Sequence, residues 1–279
     1  MANETTSSTI SELYTEIVAE ALFVASEQSI MRGLVRNYAI TGGGKSVEVP
    51  IYANVSAAAV SEASDLSNTA VNPSSVTITA SEVGIMTTLT DLARNSASRN
   101  VAADIGRLFG EAIATKIDTD LAALFTGFST EKGPGAGSEI TVQDLFECAA
   151  ELKTNKAPGP YYGVFHPKQI FNVKKSLTNT FVGRDTDLSN EAMRSGFVGN
   201  VAGIQIFETS NISVDGSDDS IGGVFSQDAL GLAMMQDLKI ESQRDASLRA
   251  DEIVATAVFG VGELHDSYGV KITADTLAA

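Results

Sequence analysis

The apolar positions at the start of the chain repeat with a helical period: Ile10, Leu13, Tyr14, Ile17, Val18, Ala21, Leu22 and Ala25 fall three or four residues apart. The preceding Thr6-Ser7-Ser8-Thr9 offers hydroxyls that can cap a first turn, and Glu12, Glu16 and Glu20 occupy the opposite face. This predicts an amphipathic helix, docked either on its own domain or on a neighbouring copy. After Gly42-Gly43-Gly44 the period changes to two, with Val47, Val49 and Ile51 on one side of a strand. A small, polar stretch from 56 to 75 separates it from a second alternating run through Val76, Ile78 and Ala80. The parity then flips, because Val83, Ile85 and Leu89 are odd-numbered where Val76 and Ile78 are even. One extra residue near Ser81-Glu82, as in a β-bulge, accounts for such a flip. Residues 45–90 therefore read as one long two-stranded hairpin with few large apolar side chains at its distal end. Such a hairpin is marginal alone, so another surface must complete it, and its length and plain tip favour an adjacent copy over its own body.

Helical spacing returns with Val101, Ile105, Leu108, Phe109, Ala112, Ile117, Leu121, Leu124 and Phe125. This predicts a helix over 98–128, about thirty residues and about 45 Å long at 1.5 Å per residue. Lys132-Gly133-Pro134-Gly135-Ala136-Gly137-Ser138 breaks the pattern and marks a boundary between lobes. Beyond it, Thr141 can cap a helix over 141–153, and Ala157-Pro158-Gly159-Pro160 turns into a strand over 161–165. Pro167 suits the first position of a further helix. Strands are predicted over 203–207, 222–225, 230–235, 238–242, 252–261 and 269–273, with an acidic loop at 215–219. Helices and strands interleave without a regular βαβ repeat, so the fold class is α+β.

At 279 residues with 43% apolar and 19% charged content, the chain can bury a sizeable core in one elongated domain or two lobes. Its net charge of −16 contains no basic segment, which disfavours tight, direct binding of DNA. Cys148 is the single cysteine and only two histidines occur, so neither an internal disulfide nor a Cys/His zinc site can form. No cationic leader with a long apolar run opens the chain and no apolar stretch approaches membrane-spanning length, so the expectation is a protein made and kept in the cytoplasm.

Candidate chemistry fails on its own terms. Ile40-Thr41-Gly42-Gly43-Gly44-Lys45-Ser46 ends like a phosphate-binding loop, but Ala39 stands where the first glycine is needed and a strand pattern follows instead of a helix. Gly196, Gly199 and Gly203 lack dinucleotide spacing and lead into a strand, which suits a turn. Cys148 lies on the apolar side of a predicted helix beside Phe146 and Ala149, as a buried structural thiol would. His166 reads as a strand-to-helix junction, His265 as a strand-end residue, and Lys168, Lys174 and Lys175 as a solvated helix face. Asp218-Asp219 and Asp251-Glu252 read as solvated loop charges before a weak calcium site. No catalytic constellation, cofactor site or metal site remains, which points to a structural or binding role.

The strings Gly44-Lys45-Ser46-Val47-Glu48-Val49-Pro50, Tyr161-Tyr162-Gly163-Val164-Phe165-His166-Pro167-Lys168-Gln169 and Gly199-Asn200-Val201-Ala202-Gly203-Ile204-Gln205-Ile206 carry a resemblance, as does the closing stretch from Glu252 to His265 followed by Gly269-Val270-Lys271-Ile272. In that order they resemble the major capsid proteins of tailed bacteriophages, whose Johnson fold is shared with the floor of herpesvirus capsids. The resemblance implies an N-terminal arm (1–38), an extended E-loop hairpin (39–90), a peripheral domain with a spine helix (91–137), an axial domain (138–224) and return strands of the peripheral domain (225–279). It also implies self-assembly into hexamers and pentamers of an icosahedral head around double-stranded DNA that is not bound sequence-specifically. A separate scaffolding protein, a portal protein and, for a decorated shell, a cement protein are implied partners, with assembly in the host cytoplasm. Expected intersubunit contacts are Leu13, Ile17, Val47, Val49, Leu66, Val76 and Ile78. Residues 56–75 contain no lysine, so covalent crosslinking through this loop is not expected. Two other classes compete: a tail-tube or other ring-forming subunit, which lacks a long spine helix, and a hydrolase, which needs a cleft of perturbed titratable groups.

Overall fold

The computed structural model describes residues 21, 29–41, 43–52, 55, 57, 59, 60, 70, 71, 73–96, 101–181 and 199–276. Their strands are β1 (Arg36–Ala39), β2 (Ser46–Ile51), β3 (Ser74–Thr79), β4 (Ser81–Thr90), β5 (Tyr161–Phe165), β6 (Asn200–Val201), β7 (Ile204–Glu208), β8 (Asp219–Ser226), β9 (Leu230–Asp245), β10 (Ala250–Glu263) and β11 (Gly269–Asp275). The α-helices are α1 (Asp91–Ser96), α2 (Val101–Ala123), α3 (Val142–Thr154) and α4 (Pro167–Phe181).

The first lobe rests on a four-stranded sheet in the order β1-β9-β10-β4. Strands β9, β10 and β4 run antiparallel, and β1 adds to the edge in parallel with β9. Val83 and Ile85 of β4 share a face with Ile253, Ala255, Ala257 and Phe259 of β10, and helix α2 packs its apolar stripe there through Ile105, Phe109, Ile113, Ile117 and Leu121. The predicted stripe is corrected at Leu108, which is exposed, while Ile113, four residues after Phe109, is buried. The α-helix is also shorter than expected, 23 residues or about 35 Å. It tightens into a 3-10 turn over Leu124–Gly127, which brings Phe125 and Phe128 into the core.

The second lobe is a five-stranded sheet in the order β11-β8-β5-β7-β6. One face receives α3 and α4, through Leu145, Cys148, Leu152, Ile170 and Val173 against Phe165, Ile204, Val224 and Ile272. The other face, with Tyr162, Val164, Phe207 and Phe225, joins the core of the first lobe around Phe125. Helix α3 begins as predicted, with Thr141 and Asp144 forming a capping box, and Pro167 opens α4. Ala202 and Gly203 both have positive φ, the geometry of a two-residue hairpin between β6 and β7, so the glycine-spaced segment is a turn here.

Several expected boundaries shift. Strand β4 does not continue the hairpin, because it pairs with β10 along its whole length while β2 pairs only with β3. The parity flip therefore marks a change of sheet at Ala80, not a bulge within one ladder. Residues 230–235 and 238–242 form one strand, β9, whose pairing with β10 slips near Gln236. Strand β8 runs through the expected boundary at 224/225, and β11 returns to the second lobe beside β8 instead of the first. Residues 29–38, assigned to the N-terminal arm, pack on the body: Met31 and Val35 are buried and β1 is hydrogen-bonded into the sheet.

Candidate functional site

The short hairpin β2–β3 leaves the body at a root made by three glycines. Ile78 sits over Gly231 and Gly262, which lie opposite each other in the β9–β10 ladder; a Cβ on either would come within 2.9 Å of the Ile78 side chain. A Cβ on Gly260 would collide with the Thr79 carbonyl. Close approach of backbone to hairpin therefore depends on missing side chains. The Ala80 amide donates to the Lys45 carbonyl at 2.7 Å and closes the root. Ile40, Val49, Ile78, Ala80, Ala233 and Leu264 form a small separate core there.

This packing corrects two of the expected intersubunit contacts. Ile78 is 1% exposed and Val49 9% exposed within one subunit, so their apolar surface is already consumed at the root. Val47 and Val76 are half-buried on the same face and keep some free area. Leu13, Ile17 and Leu66 lie outside the described residues. The expectation that all of 45–90 lacks support within its own subunit is overturned for the root and for β4. Beyond the root, among the described residues, Tyr52, Val55, Val60 and Val71 are exposed, at 60% and 62% for the first two.

A second surface was not singled out from the residue pattern. The face of the four-stranded sheet away from α2 carries Val254, Thr256 and Val258 of β10 beside Met86 of β4, and Met86 is 60% exposed. Lys239 and Glu241 of β9, paired with each other, border it. At the far end of this lobe Arg244 grips both oxygens of Asp91 at 2.6 and 2.7 Å and reaches Asp251 at 3.3 Å. Leu92 and Leu248 are exposed nearby, since the Asp91 amide donates to the Arg249 carbonyl. The signal for this face was the period-two alternation of β10, which already implies that only one side is covered.

Several of the polar groups weighed for chemistry are engaged structurally. Cys148 is fully buried, and desolvation, aided by Asp144 and Glu147, pushes its thiol up to about 12. His166 lies between β5 and α4, with its pKa lowered by burial and by Lys168. His265 stacks on Tyr268 with ring centroids 4.6 Å apart. Asp219 is buried and accepts from the Gly137 amide at 2.7 Å, while Asp215 accepts from the amides of Ser217 and Asp219, so the acidic loop is internally hydrogen-bonded. Lys175 pairs with Glu139. The Gly-Lys-Ser string leads into β2, as its pattern predicted. Among the described residues no three His, Cys, Asp or Glu side chains gather as metal ligands, and no helix is long and apolar enough to cross a membrane.

A long helix laid across one face of a sheet, a second lobe with its own sheet, and a projecting hairpin make up the described architecture. Residues 73–272 match the family model described as "Phage capsid protein". This covers well over half the chain, which belongs to that family. The same architecture recurs in the capsid of the cyanophage P-SCSP1u, at TM-score 0.69 and 20% identity over 88% of each chain. It recurs in Mycobacterium phage Che8, at TM-score 0.64 and 21% identity over 82% of this chain and 84% of that one. The head of the Helicobacter pylori bacteriophage KHP40 matches at TM-score 0.68 and 12% identity, over 89% and 92%. None of the curated proteins matches the sequence significantly. The chain is thus a structural major capsid protein with the Johnson fold, a component of a virion shell.

Proposed function

We propose that this subunit tiles an icosahedral head as hexamers and pentamers enclosing double-stranded DNA, with the five-stranded lobe as axial domain at each capsomer centre and the four-stranded lobe as periphery. The observation that carries this reading is the contrast along the hairpin: its root is locked on glycines while Tyr52, Val55, Val60 and Val71 beyond it hold apolar surface in water. An extended hairpin is costly to expose and gains stability when a neighbouring copy covers it. Val47 and Val76 extend the same face and join that contact.

The net charge of −16 suits a lining along which packed DNA slides without being held. Sequence-specific DNA contact has no place in this reading. Assembly takes place in the host cytoplasm with a separate scaffolding protein, a portal protein and, if the shell is decorated, a cement protein. Many weak contacts spread over arms and loops let misplaced copies dissociate.

Negative-stain microscopy of the purified full-length chain tests the proposal. Shells or rings of five or six copies support it, whereas a stable monomer at assembly concentrations overturns it. A strongly basic interior in a shell reconstruction would remove the sliding argument alone.

A further inference from the structure

Two polar side-chain atoms among the described residues are buried without a hydrogen-bond partner: Asn172 Oδ1 on α4 and Ser220 Oγ on β8, in residues only 1% and 2% exposed. Such atoms are rare in folded chains, because the hydration they lose on burial is normally replaced by another bond.

The pattern of β8 shows that the two share one layer. Val224 packs with α3 and α4, whereas Ile221 and Phe225 face the core around Phe125, so the even-numbered positions look toward the helices. Ser220 is on that even side, directly opposite Ala274 of β11, which belongs to the same helix-facing core. On α4, Ile170 and Val173 enter this core and Gln169 and Asn172 are buried beside them, so these four residues form the sheet-facing side of the helix.

The other polar groups of the layer are already fixed. Gln169 Nε2 donates to the carbonyls of Ser220 and Ala274 at 2.9 and 3.1 Å. One turn further along α4, Asn172 Nδ2 donates to the Asp275 carbonyl at 3.4 Å. This sets the orientation of the amide, since the flipped arrangement would turn Oδ1 onto a carbonyl oxygen. Asn172 Oδ1 therefore needs a donor and Ser220 Oγ has a hydroxyl hydrogen to give, yet the two do not bond each other. Ser220 and Ala274 are both small, which keeps the strand wall low beneath the helix at this point.

We propose that one internal water molecule bridges them, accepting from Ser220 Oγ and donating to Asn172 Oδ1, and so joins α4 to β8 where β11 closes the second lobe. One neutral donor and one neutral acceptor are the pair that a water satisfies, and the carbonyls of Ala274 and Asp275 each keep a second lone pair for its other hydrogen. The site lies within a single subunit and stands independently of how copies assemble.

A structure of the full-length chain, crystallised or in an assembled shell, at a resolution that shows ordered water tests this directly. Density at about 2.5–3.0 Å from both atoms is expected. A direct bond between Ser220 and Asn172, or separate partners for the two atoms, overturns the proposal. Chemical denaturation of Ser220→Ala, Asn172→Ala and the double variant gives a second readout. Each single substitution is expected to raise the unfolding constant roughly tenfold, and the double variant to raise it by clearly less than the product, because either change alone already removes the bridge. Effects that multiply in full mean two independent sites and refute the shared water.

Discussion

The two sheets of this subunit are built from similar residues and solve opposite problems. Strand β8 of the five-stranded sheet is buried along nearly its whole length, because α3 and α4 cover one face and the Phe125 core covers the other. Strand β10 of the four-stranded sheet alternates buried and half-buried positions, with α2 on one face and only the hairpin root against part of the other. A sheet covered on both sides is complete within its own chain. A one-sided sheet keeps Met86, Val254 and Thr256 available, while Val258 packs on the hairpin root, and availability is what a tiling subunit needs in its outer lobe.

Substitutions should separate the two sheets in order of effect. Phe225→Ala, between Phe125 at 5.5 Å and Tyr162 at 6.3 Å between ring centroids, is expected to cost about 3–5 kcal/mol in chemical denaturation. A loss below about 1 kcal/mol would mean that the double coverage of β8 is not tight. Ile78→Ala at the hairpin root is expected to cost about 2–4 kcal/mol and to increase proteolysis within 46–79 without disturbing the second lobe.

Cys148→Ser places a hydroxyl among apolar side chains and should cost about 1–3 kcal/mol. The native thiol should resist thiol reagents until the chain unfolds. Because its folded pKa, about 12, exceeds the unfolded value near 9.0, the folded state keeps the proton longer; this contribution to stability is lost as pH rises between those values. Alkaline denaturation of wild type beside Cys148→Ala, compared between pH 8 and 11, measures the difference.

Met86→Glu on the open face should change subunit stability by no more than about 0.5 kcal/mol while reducing shell yield in electron microscopy. Unchanged yield would show that this face meets no neighbour. Smallest of all, Arg244→Ala removes an exposed pair with Asp91, and its effect on melting should vanish at about 1 M salt.

Much of the architecture was legible because local rules and tertiary packing agreed. Thr141 with Asp144, Pro167 and the alternation of 203–207 specify their elements through caps, a fixed φ and a period of two. The buried place of Cys148 followed from its helical phase. Ser81 to Thr90 went astray because alternation reports that a strand has two unlike faces and is silent on which strand lies beside it. The contact set suffered for the same reason: Ile78 read as unsupported until Gly231 and Gly262, more than a hundred and fifty residues away, closed on it, and Val49 joined the same small core.

From its order of residues alone the chain determined the α+β class, the long amphipathic helix, the hairpin and the absence of a disulfide, since periodicity, turn chemistry and cysteine count are local properties. Tertiary structure decided that β4 leaves the hairpin for β10, that β11 closes the second lobe, and that Asp118 gathers donors from residues 29–31. Those outcomes depend on partners distant in sequence, where burial and close approach, not local propensity, select the pairing.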